Sequence, residues 1–476
     1  MTTPFPDLSF LRGNFAPLLL ECDAADLVVE GEIPRELAGS LYRNGPNPQY
    51  PPRGQSHWFA GEGMVHAFHI AEGRVSYRNR WVMTEKITLE RAAGRALFGM
   101  FNNPMESDPS VLGKDPSLAN THIVWHAGKL LALEEGHAPI AMDPHDLSTL
   151  GEWTFGGALK ANFTAHPKVD PKTGEMLAFA YMAKGPGSAD MAYYRIDRAG
   201  ALQRQDFFQA PYCAMVHDFM ATDRHVLFPV FPLTGDLGRA MQGKPFFAWE
   251  PDRGSHIGIM ARDAGIDTIR WFNAPAAYVF HPLNAFTRGE TVIADVMKYD
   301  VAPLFPDPDG RPVEGGGPAR LVRWTFDLAG SSDSIREEVL DDQPAEFPRL
   351  DERFAGLPCR WGYAAGRTAP MERGDDSFDT LLRYDLKTGG KDSHVLPEGQ
   401  KLSEPVFVPR GPEADEGDGW LLATAYRPRE NRSDLVVFDA QAVAQGPVAR
   451  AHLPVRVPHG FHGSWRPAAA GNGGAG

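Results

Sequence analysis

Apolar and polar residues alternate along this chain in many short runs, and the runs end on an acidic residue followed by glycine or another turn former. That is the pattern of half-buried strands joined by hairpins. Seven such endings recur: F-H-I-A-E-G at Glu72, I-A-M-D-P-H-D at Asp143, Y-Y-R-I-D-R-A-G at Asp197, A-W-E-P-D-R-G at Asp252, W-T-F-D-L-A-G at Asp327, L-R-Y-D-L-K-T-G at Asp385 and V-V-F-D-A-Q at Asp439. Their spacing is somewhat longer than the roughly 40 to 50 residues of a compact four-stranded propeller blade. The pattern therefore predicts an all-β chain, a seven-bladed β-propeller with insertions, in which a ring of sheets leaves only short edges exposed. A set of unrelated hairpins is the competing reading, and the uneven spacing leaves it open.

Alternation lapses in a few places. From about Glu85 to Asn120 the stretch R-A-A-G-R-A-L-F-G-M-F-N-N-P-M mixes helix and loop signals, and the segment from Leu233 to Phe247 reads alike; both are predicted to cap one face of the ring. P-D-P-D-G-R-P-V-E-G-G-G-P from Pro306 is predicted to be an exposed loop. Residues 1–466 form one propeller domain on this reading. P-A-A-A-G-N-G-G-A-G, 467–476, has nothing to bury and is expected to be a disordered tail.

Composition supports the modular β reading. The 476 residues exceed the usual size of a single core, and 49 glycines with 41 prolines imply many turns. A net charge of -14 with no dense basic run disfavours nucleic acid as a partner. Three dispersed cysteines, Cys22, Cys213 and Cys359, argue against a disulfide framework and for a reducing compartment. The N-terminus lacks a basic segment before an apolar core, and no apolar run reaches the roughly 18 residues of a spanning helix. The expected location is the cytoplasm.

Four of the 16 histidines sit where the local pattern breaks: His166 in N-F-T-A-H-P, His217 in C-A-M-V-H-D-F, His281 in A-Y-V-F-H-P-L-N-A and His462 in H-G-F-H-G-S-W. Their wide separation rules out a local zinc-finger or i,i+4 site, so a shared metal must be assembled by the fold. A propeller axis does that, because the first strand of every blade lines it. Imidazole suits Fe, Zn, Cu and Ni alike. Four neutral ligands leave the dication's charge to outer carboxylates, and Glu135, Glu346 and Glu404 each adjoin a strand predicted to be buried. For any one glutamate a structural salt bridge is the simpler account. His57, His66 and His69 are better explained by structural hydrogen bonds, and His459 is the nearest rival to His462.

L-R-G-N-F-A-P, G-S-L-Y-R-N-G-P-N-P, H-W-F-A-G-E-G-M-V-H-A-F, the four histidine contexts, E-F-P-R, S-E-P-V-F-V-P-R and G-F-H-G-S-W run through nearly the whole chain. With them the chain resembles the carotenoid cleavage oxygenase superfamily, which includes carotenoid, apocarotenoid, stilbene and phenylpropenoid cleavage enzymes and the retinoid isomerase. The resemblance implies a seven-bladed propeller and one Fe(II) per chain on its axis, held by His166, His217, His281 and His462, with Glu135, Glu346 and Glu404 behind them. It also implies cleavage of one C=C bond by dioxygen to two carbonyl products. No Rossmann, P-loop or flavin motif is evident, so no organic cofactor is expected, and no residue beyond the iron centre is assigned a catalytic role.

An apolar tunnel suits an uncharged alkene, and Phe59, Phe101, Phe280 and Phe305 are candidates for its wall, although an aromatic residue is more often core than substrate contact. A-L-F-G-M-F-N-N-P, D-M-A-Y-Y and A-W-E-P-D-R-G resemble the bacterial branch acting on lignostilbenes and isoeugenol-like phenols. Where that branch carries a tyrosine and a lysine for the phenol, this chain reads Phe101 and Glu134. Neither favours a phenolate, so an apocarotenoid or carotenoid is expected. Stilbenes and phenylpropenoids are the runner-up, with Glu134 accepting a bond from a neutral hydroxyl. A retinoid-like isomerase or lipid-binding propeller is the alternative of another class. Peripheral membrane contact through Leu97, Phe98 and Met100 stands against an ordinary packed cap.

Overall fold

Seven sheets arranged as blades form the body of the chain, in a computed structural model that describes residues 4–54, 56–100, 106–368 and 377–468. Blade one holds Gly39–Pro46, Gly63–Ala71 and Arg74–Trp81. Blades two to six follow in chain order, opening with His122–His126, Lys168–Val169, Met220–Ala221, Tyr278–Arg288 and Ala345–Leu350. Blade seven holds Lys401–Leu402, Val406–Pro409, Gly419–Arg427, Arg432–Asp439 and Pro447–His452.

The sequence pattern explains the layering. A strand in mid-blade is covered on both faces, and M-L-A-F-A at Met176–Ala180 is buried at every position. An outer strand such as Arg74–Trp81 alternates strictly, with Val75, Tyr77, Asn79 and Trp81 inward. Each interface between consecutive blades carries its own buried cluster. Leu41, Phe68, Leu422 and Leu435 join blades one and seven, and Tyr42, Val65, Leu130 and Ile140 join one and two. Five further clusters join the remaining pairs.

The two ends of the chain close the ring. Gly463–Pro467 pairs antiparallel with Gly39–Pro46 as the innermost strand of blade one, in the register Gly39 to Pro467. Val28–Gly31 adds an outer edge to blade seven. The strand thus runs through Pro467, which moves the expected start of the tail; 469–476 lie outside the described residues.

Six of the seven predicted hairpins fall between the third and fourth strands of a blade. Asp252 does not. It lies in a 3-10 turn at Pro251–Arg253, between the cap insertion and the third strand of blade four, Ser255–Ala261. The corresponding turn is A-R-D-A-G around Asp263, before Arg270–Ala274. An acidic turn in an insertion carries the same local signal as one in a blade.

The cap begins with helix α1, Glu85–Ala93, opened by the Thr84 side chain accepting from Ile87 N–H and closed by Gly94 at φ 66°. Its buried Lys86 sits between Glu62 and Glu90, at 2.6 Å from the latter. Glu90 also accepts from the N–H groups of Leu97 and Phe98 at 2.8 and 3.1 Å. Leu97, Phe98 and Met100 are buried, which fits the packed cap rather than the apolar membrane patch that was its alternative. The second cap segment pairs Leu233–Gly235 with Phe247–Trp249 around a short helix, Leu237–Met241. Among the described residues no helix is long and apolar enough to cross a membrane.

Candidate metal centre and cavity

The four histidines predicted from pattern breaks converge on the axis. Their ligand nitrogens all lie within 4.8 Å of one another, and all four rings are largely buried. His462 directly precedes the inner strand of blade one, and His166 and His217 lie just before those of blades three and four, Lys168–Val169 and Met220–Ala221. His281 lies inside Tyr278–Arg288, where pairing with the next strand slips on either side of Pro282. The slip lets the consecutive residues Phe280 and His281 both line the same cavity, which a regular strand forbids.

Three carboxylates fix three of the rings. His217 Nδ1 donates to Glu135, His281 Nδ1 to Glu346 at 2.6 Å, and His462 Nδ1 to Glu404 at 2.9 Å. With Nδ1 so committed, the Nε2 lone pairs of these rings face the axis. Nε2 of His217 stands 3.1 Å from Nε2 of both His166 and His281. A single proton on His217 satisfies one of those contacts and not both, whereas a cation among the four satisfies all.

The electrostatics agree. Burial and the neighbouring rings hold His166 and His462 well below the ordinary histidine value and His281 at about 3. Burial opposes charge on His217 too, but Glu135 outweighs it and raises that ring. Burial pushes Glu346 up to about 8, so its ionised form lacks a cation that neutral imidazoles cannot supply. Four nitrogen donors backed by buried carboxylates fit a divalent transition metal.

The E-F-P-R motif ties two of these supports together. Residues three apart face opposite sides of a regular strand. Phe347 takes φ 52° and the register slips between Glu346 and Arg349, so both serve the axis. Arg349 donates to Glu404 at 3.3 Å and to Gly463 O at 3.0 Å, and Phe347 stacks on His281 at 5.4 Å. Sequence reading found Glu346 and missed Arg349 and Phe347. The missing signal was a positive φ, which a phenylalanine does not advertise.

A cavity of about 1510 Å³ opens onto His217, His281 and His462. Phe59, Phe280 and Phe305 line it, with Phe59 ring centroids 6.1 and 6.3 Å from the other two, and Phe280 lies 5.1 Å from His217. Phe461 and Tyr181 line it as well and were not foreseen; Tyr181 donates to Glu135 at 2.5 Å. Phe101 lies outside the described residues. His459 stacks on Trp58 at 5.4 Å and does not join the four, while His66 and His69 bond Tyr77 and Ser40 at 2.7 Å, the structural roles expected of them. Cys22, Cys213 and Cys359 are all unpaired.

Glu134 also lines the cavity, but it is not a free carboxylate. Its Oε1 accepts from Ser117 Oγ at 2.6 Å, Leu118 N–H at 2.9 Å and His137 Nδ1 at 2.8 Å. Burial pushes Glu134 up, yet His137 and these donors more than reverse it and hold the group below its ordinary value. Burial likewise opposes charge on His137, but Glu134 and then Asp115 raise it to about 9. The cavity wall therefore presents a carboxylate–imidazolium pair.

A fold of seven blades, an axial cluster of four histidines and a cavity reaching it define a class, and comparison with known proteins supplies the family. The model described as "Retinal pigment epithelial membrane protein" matches residues 15–467, and the chain belongs to this family of carotenoid cleavage oxygenases. It is 41% identical over 468 residues to an isoeugenol monooxygenase of Pseudomonas nitroreducens, covering 96% of this chain and 98% of that protein. A crystal structure of Pseudomonas brassicacearum lignostilbene dioxygenase superposes with a TM-score of 0.94 at 40% identity, covering 98% of this chain and all of that one. A Synechocystis apocarotenoid oxygenase structure superposes with 0.86 at 29% identity, covering 96% and 98%. The chain is an oxygenase that cleaves a carbon–carbon double bond.

Proposed function

We propose that this protein is a non-haem Fe(II) dioxygenase whose preferred substrate is an uncharged, extended conjugated alkene of the apocarotenoid or carotenoid type. The observation that carries the metal reading is the convergence of four buried imidazoles, three of which have Nδ1 held by a carboxylate. His166, His217, His281 and His462 would hold the iron, and Glu135, Glu346 and Glu404 would fix three of those rings. When bound, Fe(II) supplies a centre at which dioxygen is activated beside the alkene. One C=C bond is broken, each carbon receives one oxygen atom of O₂, and two carbonyl products leave, so no external reductant is consumed.

The protein's own contribution is placement. Phe59, Phe280 and Phe305 present ring faces and edges to a substrate with few polar handles. The cavity exceeds the roughly 300–1,000 Å³ of common ligand pockets, which favours a long substrate. Glu134, ionised and paired with His137, offers a phenolate no unpaired cation of its own. A second reading, cleavage of stilbenes or phenylpropenoids, is favoured by the likeness to isoeugenol and lignostilbene enzymes; there Glu134 would accept a bond from a neutral hydroxyl. Unpaired thiols suit the reducing cytoplasm.

Aerobic incubation of iron-loaded protein with an apocarotenal and with hydroxylated and unhydroxylated stilbenes, reading aldehydes by mass spectrometry, tests both readings. Cleavage of the apocarotenal supports the first. Cleavage of 4-hydroxystilbenes alone overturns it in favour of the second, and equal conversion without oxygen marks an isomerase.

A further inference from the structure

Three of the four histidines have a glutamate on Nδ1, and His166 has none. The one carboxylate in ion-pair range of it, among the described residues, is Asp218, whose Oδ2 lies 3.7 Å from His166 Nδ1. Asp218 follows His217 directly, so when His217 turns to the axis Asp218 turns the other way, toward the start of the neighbouring blade. There it meets Lys168, two residues past His166, with Nζ at 2.8 Å from Oδ1 and 3.1 Å from Oδ2. Oδ1 also accepts the Phe219 N–H at 2.6 Å. Asp218 is almost fully buried, whereas Lys168 is about one-third exposed.

Oδ2 thus lies at ion-pair range from an imidazole that faces the metal site and at hydrogen-bond length from an ammonium that reaches solvent. We infer that Asp218 is a fourth outer carboxylate of the metal centre, a positioning residue that holds His166 in its Nδ1–H form, and that Lys168 weakens it by drawing the same oxygen away. This rests on the metal reading of the four histidines. A carboxylate near a dication strengthens its binding and an ammonium weakens it, and both effects are large where water is excluded. A pair kept only for fold stability behaves differently, since losing either partner breaks the same bond.

The test is a Co(II) titration of metal-stripped, full-length protein, with affinities from chelator competition and the ligand-field absorption of bound Co(II) as an independent readout. Wild type and His281→Ala come first: if wild type takes up no Co(II), or His281→Ala binds as wild type does, the metal reading itself fails. Given binding, Asp218→Asn should weaken Co(II) about 10-fold, the lower end for outer-shell partners, and shift its absorption bands. Asp218→Glu should restore part of that loss. Lys168→Met should tighten binding by about 3-fold, opposite in sign to Asp218→Asn. Shifts of the same sign in Asp218→Asn and Lys168→Met, or wild-type affinity and bands in Asp218→Asn, overturn the inference. Should Asp218→Asn fail to fold, unchanged or weaker binding by Lys168→Met overturns it alone.

Discussion

Glu134 and Glu135 are neighbours in sequence and belong to two different ends of one cavity. Glu135 faces the axis, where it takes His217 Nδ1 and Tyr181 OH. Glu134 faces the cap, where Ser117, Leu118 N–H and His137 hold it. The axial end is assembled from strand starts in several blades, so each histidine is backed by residues from elsewhere in the ring. At the cap end these charged groups come from one stretch of chain, 62–137, and pair among themselves: Lys86 with Glu62 and Glu90, His137 with Glu134 and Asp115. The axial end is therefore constrained by the whole fold, while the cap can change its polar groups locally. Shared chemistry with variable substrate choice follows from that division.

Perturbations at the two ends should separate cleanly. The largest effect is expected for His281→Ala, which should abolish stoichiometric iron and cut alkene cleavage by more than the about 100-fold upper end for outer-shell losses, measured by metal analysis and product yield. At the cap, Lys86→Met strands two buried carboxylates and should cost about 3–5 kcal/mol in denaturant unfolding. Its iron content should stay at wild type; a loss of iron there would break the comparison. Glu404→Gln should lower iron affinity by about 10- to 100-fold while the fold is retained, because the amide still accepts from His462 but carries no charge.

Smaller effects concern the Glu134–His137 pair. His137, raised to about 9, contributes stability that is full below the ordinary 6.5 and fades as pH rises through about 9. Glu134, lowered, contributes stability that is full above the ordinary 4.5 and is lost as pH falls through its depressed value. Thermal midpoints should therefore fall from pH 6.5 toward pH 10 in wild type more than in His137→Asn. Equal slopes would mean the imidazolium is not present. Glu134→Gln should change the ratio of hydroxylated to unhydroxylated stilbene cleavage by only about 3-fold, within what one hydrogen bond supplies. Glu134→Lys is a poor probe of phenol binding, since it loses every bond to Oε1 and sets a cation beside His137.

Much of this was legible before folding. Both faces of a mid-blade strand are buried and one face of an outer strand is, so periodicity alone marks blades. His166, His217, His281 and His462 were visible because each interrupts such a run. Asp252 misled because a turn signal is local and does not report whether its hairpin lies in a blade or an insertion. Leu97, Phe98 and Met100 left a surface patch open beside a packed cap, because the bonds from Leu97 and Phe98 N–H to Glu90 cross a loop that has no period.

Residue pattern and the family resemblance together pointed to seven blades, the four imidazoles and three of the carboxylates behind them; pattern alone left unrelated hairpins open and made a salt bridge the simpler account of each glutamate. Only the tertiary structure decided how those groups are supported. The slipped register at Phe347 turns Arg349 inward, a neighbouring blade sets Asp218 beside His166, and His137 keeps Glu134 ionised. Each is a meeting between segments that no local period encodes. It arises because closing the ring fixes which strand ends share the axis, and burial there obliges every charge to find a partner.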